Sequence, residues 1–111
     1  MAHQPRSRHV VKKRSPLLLK LMARMGQLEF KEAWIPRSQG CDIYGLWEPD
    51  GTITINPLPD TVNTVLHELL HELKPQYKER TIRQVVGKIM KQMSEEEVQA
   101  VYTEYKRRLE E

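Results

Sequence analysis

GTITINPLPDTVNTVLHELLHELKPQYKERTIRQVV, residues 51–86, carries in one run a strand, a turn, a helix and the opening of another helix. Ile53 and Ile55 alternate with Thr52, Thr54 and Asn56, the two-residue period of a half-buried strand. Pro57 and Pro59 end the strand, and Asp60 or Thr61 then caps a helix that runs to Leu73. Pro75 stops that helix, because proline disfavours helical geometry at the residue before it, Lys74. Val62, Val65, Leu66, Leu69, Leu70 and Leu73 give the helix a broad apolar surface, as expected of a helix lying against a sheet.

Upstream, IYGLWE (residues 43–48) leads through Pro49, Asp50 and Gly51 into the 52–56 strand, so the two form a hairpin. Residues 30–36 suit a further short strand. Ser15 caps a first helix that opens on Pro16 and extends to Leu28, with Leu17, Leu18, Leu21, Met22 and Met25 on one face to bury. Downstream, Ile82, Val85, Val86, Ile89, Met90 and Met93 mark a helix over residues 78–93. Ser94 and Glu97 match a capping box, and the last helix turns Val98, Val101, Tyr102 and Tyr105 inward. Trp34 and Trp47 read as core or hairpin packing. The expected fold is therefore α+β: a small three-stranded sheet packed on the central helix, an N-terminal helix and two C-terminal helices.

A chain of 111 residues supports one small core, and 39% hydrophobic with 30% charged residues is the balance of a folding chain rather than a disordered one. The single cysteine, Cys41, excludes an intramolecular disulfide framework and any cysteine-rich zinc finger, which fits a reducing, cytoplasmic setting. No run of residues approaches the ~20 apolar positions of a membrane span.

Within the central helix, His67-Glu68-Leu69-Leu70-His71 is the pattern H-E-x-x-H. Residues four apart on a helix lie about 40° apart around the axis and one turn apart along it, so two imidazoles can share one metal ion. Zinc accepts imidazole nitrogens in a tetrahedral shell and, at a catalytic site, keeps one position for water. Glu68, beside the first ligand, is placed to take a proton from that water. The plainer alternative is an amphipathic helix whose histidines are simply solvated.

A catalytic zinc ion needs a third protein ligand, and no histidine, aspartate or cysteine follows His71, so a downstream ligand has to be glutamate. Lys74 and Tyr77 stand where the extended H-E-x-x-H-x-x-G-x-x-H motif requires Gly and His, which excludes that subclass. Glu72 points about 100° away from His71. Glu79, in the first turn of the returning helix, is the leading candidate; helix-dipole stabilisation of an N-terminal acid is its plainer reading. Glu95, Glu96 and Glu97 are rivals at the far end of the same helix, about 21 Å away. Cys41, Asp42 and His9 are upstream alternatives, each of which demands a specific return of a loop or tail.

GTITIN, HELLHE and PQYKERTIRQVV together resemble the compact zincin metallopeptidases, in particular the glutamate-ligand gluzincins and the minimal ImmA/IrrE-type and SprT-like domains. The resemblance covers residues 44–93. It implies a zincin-like domain over residues 15–111 that hydrolyses peptide bonds, with Zn2+ held by His67, His71 and Glu79 and with Glu68 as general base. It further implies that the strand before the active helix, residues 52–56, is an open edge to which a peptide or protein substrate adds in extended form.

Charge is unevenly spread. Arg6, Arg8, Lys12, Lys13, Arg14, Lys20 and Arg24 precede the first acid, Glu29, giving +7 in residues 1–24 and −4 in the remainder. Residues 1–14 read as a basic flexible tail. This supports a second reading, a nucleic-acid-associated adaptor that binds through the tail and whose zinc is structural or vestigial.

Overall fold

The computed structural model describes residues 15–110, so the basic tail lies outside the described residues. In chain order the elements are α1 (Pro16–Met25), β1 (Glu29–Glu32), β2 (Gly45–Trp47), β3 (Thr52–Ile55), α2 (Leu58–Leu73), α3 (Glu79–Gln92) and α4 (Glu95–Leu109). The fold is α+β, four helices with a mixed three-stranded sheet of order β1-β3-β2. β1 runs parallel to β3 with Phe30 opposite Ile53, and β2 runs antiparallel to it with Trp47 opposite Ile53.

This order corrects one expectation directly. β3 is the central strand, hydrogen-bonded on both sides, so residues 52–56 offer no open edge; the outer edges belong to β1 and β2. β1 takes one side of β3 in parallel and β2 takes the other in antiparallel pairing.

The sense of the alternation along β3 is also reversed. Thr52 and Thr54 are buried, whereas Ile53 is half-buried and Ile55 is exposed. Asn56 explains the choice. Its side chain shares a face with Thr52 and Thr54, as the two-residue period requires. That amide is 2% exposed, donates from Nδ2 to the Ile43 carbonyl at 2.9 Å, and accepts the Leu58 N–H on Oδ1 at 3.2 Å. A buried amide needs both partners, so it holds this face inward. Beyond Phe30, Ile53 and Ile55 on the opposite face, Trp47 is 68% exposed and is not a core residue.

The same amide moves the start of the central helix. α2 begins at Leu58 rather than after Asp60 or Thr61, with Pro57 at the cap and Pro59 in the first turn, where a missing N–H costs nothing. Asn56 satisfies the first free N–H.

The core lies among the helices. Leu58 and Val62 of α2, Met93 and Val98 pack together and are covered by Trp34, Leu66, Met90, Val101 and Tyr102; Ile82 and Val86 of α3 are fully buried as well. α2 packs on α3 and α4, and Leu69 and Leu73 remain exposed. Trp34 leaves β1 just after the last ladder bond, from Ala33 N–H to the Ile55 carbonyl, and this exit shortens the strand relative to residues 30–36. α1 takes no part in this core. Ser15 caps it as read, but it ends at Met25 and none of its residues is buried.

Arg37 ties the sheet side to the helices. Its guanidinium pairs with Asp42 at 2.8 Å and donates to the Met93 carbonyl at 2.8 Å, while its N–H donates to Glu95 at 3.2 Å. The intervening loop turns at Gln39 and Gly40, both at positive φ. The capping box of Ser94 and Glu97 is formed as read, and α4 starts on it.

Replacing the buried amide should therefore be costly. Asn56→Ala strands the Ile43 carbonyl and the Leu58 N–H and is expected to lower stability by about 1 to 3 kcal/mol, read by thermal or urea unfolding. Ile55→Thr, on the exposed face, should stay within about 0.5 kcal/mol of the parent. Equal stability of the two variants would refute the role given to Asn56.

Candidate metal centre

His67 and His71 stand one turn apart on the last part of α2, their ring centroids 5.0 Å apart and the planes inclined by 67°. α2 then ends: the Lys74 N–H closes on the Leu70 carbonyl, Pro75 prevents continuation, and the Tyr77 N–H bonds back to the Lys74 carbonyl at 3.0 Å. This short turn returns the chain so that α3 opens at Glu79, alongside the histidines.

Glu79 meets both rings. His67 Nε2 lies 2.8 Å from Oε2 and His71 Nε2 lies 2.9 Å from Oε1, so one carboxylate spans the pair with its two oxygens. Three ligand-type atoms, one from each residue, fall within 4.8 Å of one another, and this is the one such group of histidine, cysteine or acidic side chains among the described residues. The rings are partly sheltered and the carboxylate is about half exposed, so the cluster opens to solvent on one side.

Several effects act on the Glu79 carboxyl. Desolvation beside the rings pushes its pKa up; the hydrogen bond from His71 and the positive potential of His67, His71 and Arg83 outweigh this, and the net direction is down. Arg83 approaches Oε2 at 3.7 Å from one turn further along α3. The carboxylate form, the one that binds metal, is the favoured form.

The donor set fits zinc. At about 2.0 Å from each donor, a tetrahedral ion separates its ligand atoms by about 3.3 Å, so the present contacts need to open only a little to admit it. Two imidazole nitrogens and one carboxylate oxygen leave the fourth position of a tetrahedral shell for water.

Glu68 is exposed, about 100° around α2 from His67, and belongs to no part of the three-residue cluster. It borders an open hollow with Thr64, Glu72 and Tyr105. The other ligand candidates among the described residues, exposed Glu96 included, stand outside this cluster. Glu95 accepts from the Arg37 backbone, Glu97 closes the capping box, Asp42 pairs with Arg37, and the Cys41 backbone bridges to Ser38 while its exposed thiol stands outside the cluster. His9 lies outside the described residues. Two features beside the centre escaped the sequence reading: Arg83, whose signal was its four-residue spacing from Glu79, and Tyr105, which borders the hollow instead of entering the core.

The chain matches no protein-family model, no curated protein and no solved structure.

The geometry predicts one zinc ion per chain by metal analysis after loading and dialysis. His67→Ala, His71→Ala and Glu79→Ala should each weaken zinc binding by more than the roughly 100-fold that loss of an outer partner costs. Glu95→Ala should leave it unchanged. Undiminished zinc in the Glu79 variant would remove that residue from the set.

Proposed function

We propose that the chain is a zinc-dependent metallopeptidase of minimal zincin type, with His67, His71 and Glu79 holding the metal and Glu68 acting as general base. The observation that carries this reading is the meeting of His67 Nε2 and His71 Nε2 on the two oxygens of one carboxylate, with a second carboxylate, Glu68, adjacent in sequence and free of that cluster.

When bound, zinc supplies Lewis acidity toward a substrate carbonyl and toward water. The remaining chemistry belongs to the chain. Glu79, kept in its charged form, turns both imidazole Nε2 atoms toward one point by meeting each with one carboxylate oxygen. Glu68 takes a proton from the attacking water on a carboxylate oxygen and delivers it to the nitrogen of the leaving amine as the peptide bond breaks. Its exposed position on α2 lets it meet a substrate that arrives from solvent, beside and not inside the metal shell. An extended substrate that adds to the sheet would use the outer edge of β1 or β2, since β3 has none.

The test separates base from ligand. Glu68→Gln should keep one zinc and the parent melting curve while abolishing cleavage of a peptide library, because an amide cannot accept the proton. A chelator should abolish the parent's cleavage, and zinc should restore it. Cleavage by Glu68→Gln at the parent rate would refute the mechanism.

A further inference from the structure

Among the described residues, α1 is the helix that buries nothing. α2, α3 and α4 each sink at least one side chain out of solvent, whereas Leu17, Leu18, Leu19, Leu21, Met22 and Met25 of α1 are all 45% exposed or more. The helix is nonetheless well made. Ser15 accepts the N–H groups of Leu17 and Leu18, and the Gly26 N–H closes the last turn on the Ala23 carbonyl. A formed amphipathic helix whose apolar face stands in solvent is a surface suited to an apolar partner.

Charge narrows the partner. At 100° per residue, Leu17, Leu21, Met25, Leu18 and Met22 fall within one arc of about 140°. Lys20 and Arg24 lie together outside that arc, beside Leu17, and neither meets an acid among the described residues; Arg24 bonds the uncharged side chain of Gln27. The residues that precede α1 in the chain add Arg6, Arg8, Lys12, Lys13 and Arg14, and no acid occurs before Glu29. Positive charge and apolar face therefore belong to one continuous stretch of sequence.

A nucleic acid would answer the cations but give no role to five exposed leucine and methionine side chains on one arc. A second copy of α1 would answer the apolar face but bring +7 against +7. A surface of anionic phospholipid answers both, because the apolar arc enters the acyl boundary while the long stems of lysine and arginine carry their charge up to the headgroups. Length agrees. The ten residues of α1 rise about 15 Å, half of the ~30 Å hydrocarbon core, so the helix can lie along a bilayer but not cross it.

We propose that α1 docks the protein on an anionic lipid surface, with Leu17, Leu18, Leu21, Met22 and Met25 in the acyl boundary and with Lys20, Arg24 and the preceding basic residues at the headgroup phosphates. Nothing in this surface depends on the metal centre. The helix is formed before contact, so docking does not have to order it.

Co-sedimentation of the full chain with vesicles tests this, phosphatidylcholine alone against phosphatidylcholine with phosphatidylglycerol. The anionic vesicles should bind about tenfold tighter or more, and added salt should erase most of the difference, since each cation near such a surface contributes about fivefold. Leu21→Gln with Met25→Gln, both at exposed positions, should keep the parent melting curve and lose about tenfold or more in affinity for anionic vesicles. Lys20→Gln with Arg24→Gln should lose about as much on anionic vesicles and nothing on neutral ones. Equal binding of the parent to both vesicles, or undiminished anionic binding in the Leu21 and Met25 variant, overturns the proposal. Tighter binding to duplex DNA than to anionic vesicles, unaffected by that variant, overturns it in favour of the nucleic-acid reading. A dimer in solution that the same variant dissociates overturns it in favour of a second copy.

Discussion

Everything at the candidate centre depends on the break between α2 and α3. A helix can align His67 with His71 but cannot bring a third ligand from its own length onto the same ion at that end. The Lys74–Pro75 step stops α2 within one turn of His71, and the return from Lys74 to Tyr77 is short enough that the first residue of α3 is already beside the rings. Glu79 also sits where the dipole of α3 favours a negative charge, so the position that completes the ligand set is one at which a carboxylate is stable before any metal binds.

Buried side chains anchor those two helices in the rest of the molecule. Ile82 and Val86, one and two turns beyond Glu79, are fully buried, and Val62 is buried one turn before Leu66 and His67. Met93 and Val98 close the same core from the α3–α4 junction, where Arg37 reaches across from the loop after β1. Asn56 locks the other end by joining β3, the chain at Ile43 and the first turn of α2. The sheet side contributes anchorage to α2 through Asn56 and packs Trp34 against a cluster built mainly from the helices.

The convergence of three side chains at the candidate centre was more legible in the sequence than the sheet was. His67, His71 and Glu79 could be read because helical spacing, a proline and the absence of other ligand types downstream are local facts. The four-helix layout and the Ser94 capping box were legible for the same reason. Sheet order is not local. The pattern TITIN is compatible with either face inward and with either an edge or a central place, and the decision falls to Asn56 and to the pairing of β1, which depend on partners distant in sequence. Leu17, Leu21 and Met25 show a related limit: amphipathic spacing identifies a helix but does not say whether the core has room for its face.

The central claim is that two imidazoles and one carboxylate form a single zinc site. X-ray absorption spectroscopy of the zinc-loaded full chain reads that shell directly. The account predicts one zinc per chain with two imidazole nitrogens and only oxygen besides, at about 2.0 Å, and a nearest shell that loses one oxygen donor in Glu79→Ala. A sulfur neighbour at about 2.3 Å, which would bring Cys41 to the metal, or a six-coordinate all-oxygen shell would contradict it.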